Sequence, residues 1–470
     1  MEPLPEIMGA TPKVVPVLDS SFRPAALVTR AFARRVRATG RPEPVAIALE
    51  QADGSVFHFY TAVFSENHPD AGLNLWYLER FVKFILWSRG GYRIYFKGPA
   101  ALGQALQRYY VEQPTGKFDA ELMGARIYER PFEIVPLTTE SLPAVHEATR
   151  PLGRHLEGCR IGFDLGASDR KVAAVMNGEA IFSEEIPWDP VKQADPQWHF
   201  DQMMAMLKSA AAHLPRVDAI GGSAAGVYVN NHVQVASLFR GVPADLFPHR
   251  VKPIFLELKK AWNNVPFEVV NDGEVTALAG SMALNDNAVL GLALGSSQAA
   301  GYVSPDGNIT SWLNELAFAP VDYQPAAPVD EWSGDRGCGV QYFSQQCVGR
   351  LLGAAGILVD AALPLPEKLK HVQQLMAAGD ERASRIYQTI GTYLGYAVAH
   401  YADFYEIKNV LILGRVTSGP GGAVILDRAR QVLETEFPDL NRRIAFRTPT
   451  EREKRHGQAI AAASLPVVTP

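Results

Sequence analysis

Two acidic residues stand at the ends of apolar runs: Asp164 in Ile161-Gly162-Phe163-Asp164, and Asp272 in Phe267-Glu268-Val269-Val270-Asn271-Asp272. A carboxylate delivered this way can hold magnesium through its waters or accept a proton from a hydroxyl. Glycine turns follow. Gly166-Ala167-Ser168, with Lys171 just beyond, comes after the first acid; Gly295-Ser296-Ser297 and the stretch from Gly414 through Gly419 to Gly422 come later. Turns of this kind expose successive backbone N–H groups, and glycine lets a phosphate approach them closely. Each piece alone has an ordinary reading. Asp164, Ser296 and Ser297 are normal hairpin-turn residues, Lys171 fits the solvated side of a strand, and Asn271-Asp272 suits the cap of a helix beginning at Gly273.

The elements needed to position these residues are legible in order. A hairpin spans residues 161–175, an amphipathic helix 196–213, a buried strand 217–220, a helix 255–261 and a strand 267–270. A second set follows with a strand–turn–strand over 288–303, a long helix 381–405, a strand 410–413, a helix 423–437 and a closing helix 458–464. All four glycine or acid loops lie behind strand ends, where ligands of open α/β sheets bind. Before them, residues 24–39, 73–89 and 100–111 read as helices, with strands at 45–50, 56–60, 92–96 and 124–137. The first 150 residues therefore form an α/β module whose element order suggests a degenerate copy of the half-fold that follows. A Pro-, Thr- and Glu-rich stretch, 137–157, reads as a linker. The domain expectation is 1–150, then 158–287, then 288–470.

Composition narrows the function. The 470 residues carry a formal charge of −5, and 47% are hydrophobic. No global basic field draws nucleic acid or an anionic membrane, and the arginines of 30–41 read as a solvated helix face. Cys159, Cys338 and Cys347 cannot form a disulfide framework. No basic-apolar leader or membrane-length apolar run is present. A cytoplasmic protein with no nucleic-acid or membrane partner is expected, with a homodimer as its assembly.

With these motifs in place, residues 158–465 resemble the actin-like ATPase and sugar kinase superfamily, and within it the ROK family of repressors, open reading frames and glucokinase-like kinases. The resemblance implies a two-lobe α/β fold, related to ribonuclease H, with an additional N-terminal module. It implies ATP and Mg²⁺ as cofactors and a sugar as substrate. Asp272 becomes the general base, Asn271 and Glu315 bind the sugar, and Asp164 positions magnesium. Gly166, Ser168, Lys171, Gly295, Ser296, Ser297, Gly414 and Gly419 surround the nucleotide. Asn314-Glu315-Leu316-Ala317-Phe318 falls where the family has Gly-Glu-Leu-Gly-His. Phe318, Glu331, Ser333 and Cys338 occupy the places of the family's zinc ligands, and one soft ligand cannot hold a tetrahedral zinc; no zinc site is expected. The expected activity is γ-phosphoryl transfer to a sugar hydroxyl. The alternative is a non-catalytic sugar-binding or regulatory protein, of which a DNA-binding repressor is a weaker version.

Overall fold

The computed structural model describes residues 10–147, 152–448 and 457–468. It begins with α1 (Ala25–Ala38), the hairpin β1 (Glu43–Glu50) and β2 (Val56–Val63), α2 (Asn74–Arg89), β3 (Arg93–Lys97), α3 (Ala100–Glu112), α4 (Pro114–Glu121) and β4 (Glu133–Leu137). The first lobe follows as β5 (Cys159–Leu165), β6 (Asp169–Met176), β7 (Glu179–Pro187), α5 (Pro196–Ala211), β8 (Ala219–Ala224), the short hairpin β9 (Val227–Val229) and β10 (His232–Val235), α6 (Ile254–Ala261), β11 (Phe267–Asn271) and α7 (Asp272–Leu284). Then come β12 (Val289–Leu294), β13 (Gln298–Val303), α8 (Gln345–Ala355), α9 (Leu365–Ala377), α10 (Glu381–Tyr401), β14 (Asn409–Leu413), α11 (Pro420–Glu436), α12 (Pro438–Asn441), β15 (Ala445–Arg447) and α13 (Gln458–Ala463). Among the described residues, no helix is long and apolar enough to cross a membrane.

The first-lobe sheet has the order β11-β8-β5-β6-β7, with β5–β6–β7 an antiparallel meander and β8 and β11 parallel to β5. The second lobe has the order β13-β12-β14-β15, with the β12–β13 hairpin beside parallel β14 and β15. Strand β5 reads as a nearly continuous apolar run because α5 covers one face and α13 the other, as a doubly covered sheet requires. Helix α13 packs on β5, β6 and β8 and on α7, and its Ala461 and Ala462 share a core with Val289 and Leu411 of the second lobe. It sits so close that a Cβ on Gly162 would come within 1.8 Å of the Ala459 carbonyl, and one on Gly221 within 1.7 Å of that of Ala462.

The N-terminal module differs from expectation in two ways. Its sheet order is β2-β1-β3-β4, and β3 runs antiparallel to β1, whereas β8 runs parallel to β5. It is not a copy of the half-fold. Nor does it stand apart: Phe22, Phe32, Phe84 and Trp87 share one apolar core with Tyr342, Tyr393, Tyr401 and Phe404 of the second lobe. The stretch 137–157 is not simply a free linker, since His146 bridges Val56 of β2. The strand expected over 124–137 begins only at Glu133. Before it, Leu122–Tyr128 forms a π-helical turn that buries Leu122, Met123 and Ile127 and ends on left-handed Glu129.

Candidate active site

Strand β5 ends at the cleft with Asp164, and the parallel neighbour β8 brings Ser223 opposite it. The Ser223 hydroxyl donates to Asp164 Oδ1 at 2.6 Å. Burial pushes the Asp164 carboxyl above its ordinary range, against the lowering effect of Ser223 and Lys171 and with a further push from Asp169. Sequence reasoning placed a buried strand at 217–220 but did not assign Ser223. Its signal was a hydroxyl residue closing an otherwise buried strand.

At the end of β11, Asn271 caps α7: its Oδ1 accepts from Gly273 N at 2.7 Å, and its amide donates to the Gly226 carbonyl at 2.7 Å. Asp272, the first helical residue, shares that cap: its Oδ1 also accepts from Gly273 N, at 3.0 Å. Burial pushes Asp272 up to about 6, and the Asp164 charge adds to the shift. Burial likewise raises Glu315 to about 7, with the Asp272 charge as the second cause. Three of the predicted residues therefore form one electrostatic cluster, and among the described residues none is ion-paired to Lys or Arg.

Glu315 is held by the N-terminal module. The terminal turn of a helix leaves carbonyls without intrahelical partners, and those of α2 accept here: Leu313 N donates to Arg89 O at 3.1 Å, Asn314 N to Ser88 O at 3.0 Å and Glu315 N to Trp87 O at 2.9 Å. Asn314 takes a left-handed conformation, φ 51°, and its amide donates to Glu274 Oε1 at 2.5 Å. Tyr405 donates to the Asn314 Oδ1 at 2.8 Å. Burial raises Glu274 to about 8, with an added push from Glu315. Glu274 was missed in the sequence; its position in the first turn of α7, two residues after Asp272, is the signal that was there.

The glycine turns sit as expected at strand ends. In the first, Gly166 N donates to Asp169 O at 3.0 Å, and the indole N–H of Trp188 donates to Gly166 O at 2.8 Å, which fixes the turn from outside. Ser168 is exposed and donates to Asp169 Oδ2 at 2.9 Å. Lys171 points along the outer side of β6, 3.6 Å from Asp169 and 4.0 Å from Glu185. In the second lobe, Gly295 N donates to Ser297 O at 2.9 Å, and Gln345 N, at the start of α8, donates to Gly295 O at 2.9 Å. Ser296 and Ser297 are exposed. Gly414, φ 104°, lies against the end of β12: a Cβ there would meet the Leu294 carbonyl at 2.5 Å. Gly419, φ 75°, caps α11 with open space around it.

The positions aligned with zinc ligands are built otherwise. The Phe318 ring packs against Trp87 at 4.3 Å and Trp332 at 5.2 Å, and Cys338 is fully buried. Beside them, a charge network ties α2 to this segment. Arg80 donates to Glu79 and to Asp335, and Lys83 lies 2.9 Å from Asp119 and 3.2 Å from Asp335, with Trp87 Nε1 donating to Asp119 at 3.0 Å. Among the described residues, no group of three His, Cys, Asp or Glu is arranged to hold a metal ion.

Comparison with solved structures places this geometry in a fold. A ROK hexokinase from Thermus thermophilus matches 66% of this chain and 97% of its own, with TM-score 0.52 and 18% identity. A ROK family glucokinase from Streptomyces griseus, solved in complex with glucose and AMPPNP, matches 66% and 99% at TM-score 0.50 and 19% identity. A ROK family transcriptional regulator, a homolog of the E. coli MLC protein, matches 66% and 79% at TM-score 0.51 and 18% identity. No family model and no curated protein matches the sequence. The chain has the actin-like ATPase fold of ROK sugar kinases and regulators, and a third of it lies outside the match.

Proposed function

We propose that the protein is an ATP-dependent sugar kinase with Asp272 as general base. The observation that carries this reading is the convergence of Asp164, Asp272 and Glu315, three carboxylates from separate segments, with raised pKa values and no ion-paired cation. Asp272 and Glu315 suit a hydroxyl-rich ligand as acceptors, and a single carboxylate with waters is enough for a magnesium ion. Asp164, steadied by Ser223, would hold Mg²⁺ with its waters, and the ion would neutralise charge on the transferring phosphoryl group. The N–H groups and hydroxyls of the Gly166–Ser168 and Gly295–Ser297 turns would face the phosphates, and Gly414 and Gly419 would leave room for the adenosine side.

Glu315 accepts hydrogen bonds from the sugar, and Asn271 offers the amide N–H not used by Gly226. The acceptor oxygen attacks the γ-phosphorus, the bond from that phosphorus to the oxygen of ADP breaks, and the hydroxyl proton passes to Asp272. A base tuned to about 6 is ionised at neutral pH yet basic enough to help, a contribution typically of about 10²–10⁴-fold. The test is ADP release with Mg-ATP over a panel of neutral hexoses, with phosphosugar formation as the expected result.

The second reading is a non-catalytic sugar-binding regulator of cytoplasmic location. Phe318, where the family carries a histidine, favours it, as does the engagement of both ends of the Asn271 amide. Saturable sugar binding with no phosphosugar over the whole panel would decide for it. Homodimerisation remains an independent proposal, checked by sedimentation.

A further inference from the structure

Asn314 is 1% exposed and holds a left-handed backbone, φ 51°, which asparagine tolerates and bulkier side chains resist. Every polar group it carries is engaged. Its N–H donates to the Ser88 carbonyl of α2 at 3.0 Å, and its carbonyl accepts from Leu316 N at 2.9 Å. Its side-chain amide donates to Glu274 Oε1 at 2.5 Å and, at 3.5 Å, to the Trp312 carbonyl, while Tyr405 donates to its Oδ1 at 2.8 Å. A buried polar side chain satisfied this completely is held in one conformation, since any other would strand a polar group away from water.

The two ends of this arrangement fall beside two residues of the carboxylate cluster. Glu274 lies in the first turn of α7, two residues after Asp272, and Asn314 directly precedes Glu315. The start of α7 is fixed on β13: a Cβ on Gly273 would come within 2.1 Å of the Ala300 carbonyl. The 313–315 segment is fixed on the end of α2 through the N–H groups of Leu313, Asn314 and Glu315. Tyr405, packed against Tyr302 at 5.1 Å and Trp312 at 5.5 Å, holds the amide from a third side. The Asn314–Glu274 bond is therefore a direct side-chain tie between the helix that carries Asp272 and the segment that carries Glu315. The Glu315 carboxyl feels the Asp272 charge, so their separation matters to the site.

We propose that Asn314 is a positioning residue: its amide, clamped between Glu274 and Tyr405, sets the separation of Asp272 from Glu315 and with it the fit of the acceptor sugar. The proposal rests on the kinase reading for the roles of Asp272 and Glu315. Asn314 acts through these neighbours. Because α2 carries the backbone of the same segment, the N-terminal module is part of the frame that holds the sugar-binding carboxylate.

The test compares the full chain with its Asn314→Gly, Tyr405→Phe and double variants, with glucose, galactose and mannose as acceptors. Glycine keeps the left-handed backbone and removes the amide; phenylalanine keeps the ring packing and removes one hydroxyl. Calorimetric sugar affinity, kcat, and KM for sugar and for Mg-ATP are measured well below each melting temperature. Asn314→Gly is expected to weaken sugar affinity and lower kcat by about tenfold each, with KM for Mg-ATP unchanged, since misplacement by about 1 Å can cost about 10²-fold. Tyr405→Phe should show a smaller loss of the same kind, and the double variant should match Asn314→Gly, because the hydroxyl acts through the amide. A merely structural asparagine would lower the melting temperature and leave the sugar constants at the parent's values; that result, or additive losses in the double variant, would overturn the proposal. The two readings separate in this design. Phosphosugar from the parent with sugar constants unmoved in Asn314→Gly retains the kinase and removes the positioning role; sugar binding weakened in Asn314→Gly without phosphosugar from any chain retains the positioning of Glu315 and removes the kinase. A parent that binds no sugar of the panel overturns both.

Discussion

Asp335 is buried and Asp272 half-buried, and their surroundings drive the two carboxylates in opposite directions. Around Asp335, burial is opposed by Arg80 at 3.0 Å and Lys83 at 3.2 Å, and the carboxyl is held well below its ordinary range. Burial also works against the Lys83 ammonium, but Asp119 and Asp335 outweigh it and its pKa is raised. Even there burial is felt, since Asp119 is pushed up to about 6. At the cleft, burial acts on Asp272 with another acid for company and no paired cation. The ion network around Asp335 fixes one element against another, whereas among the described residues Asp272 has no Lys or Arg partner. The first region holds α2 on the second lobe.

The largest expected effect comes from breaking the network. Lys83→Met leaves Asp119 and Asp335 short of a partner and should lower stability by about 3–5 kcal/mol, read by denaturant unfolding, while the double variant Lys83→Met with Asp119→Leu recovers much of the loss. A network without structural importance would show neither effect. Next is Gly414→Ala, which puts a methyl against the Leu294 carbonyl at an unfavourable φ; a loss of about 1–3 kcal/mol is expected. A fully stable variant would show that this approach is not required.

Glu274 sharpens the other side of the comparison. Its folded pKa, about 8, lies above the ordinary 4.5, so the stability it contributes is complete below about 4.5 and is lost as pH rises through about 8. Glu274→Gln keeps an oxygen for the Asn314 amide and removes the titration. Its melting temperature should gain on the parent's between pH 6 and 9, and parallel pH curves would contradict the assignment. The smallest effect is predicted for Lys171→Ala, whose exposed strand-side pairs with Asp169 and Glu185 contribute at most about 1 kcal/mol.

The strand-end positions of the candidate residues were readable because they are local: Asp164 with its Gly166 turn, Asn271-Asp272 before α7 and the Gly295 turn each lie within a few residues of one strand end. The role of the first 150 residues was not readable. Arg80 meets Asp335 and Trp87 O meets Glu315 N across more than two hundred residues, and no local periodicity reports such partners. Element order alone suggested a duplicated half-fold, because the direction of β3 against β1 is set by a connection that composition does not encode. Neutral Glu274 was equally hidden, since only its burial distinguishes it from an ordinary helix-start acid.

The central claim is that Asp272 accepts the acceptor hydroxyl's proton from within the three-carboxylate cluster. Its most direct test is phosphosugar formation by the parent and Asp272→Asn at neutral pH, with nucleotide and sugar affinities measured on both. The account predicts turnover reduced by about 10²–10⁴-fold with binding retained, and parent turnover that falls as pH drops below about 6. An Asp272→Asn variant with undiminished turnover would contradict it.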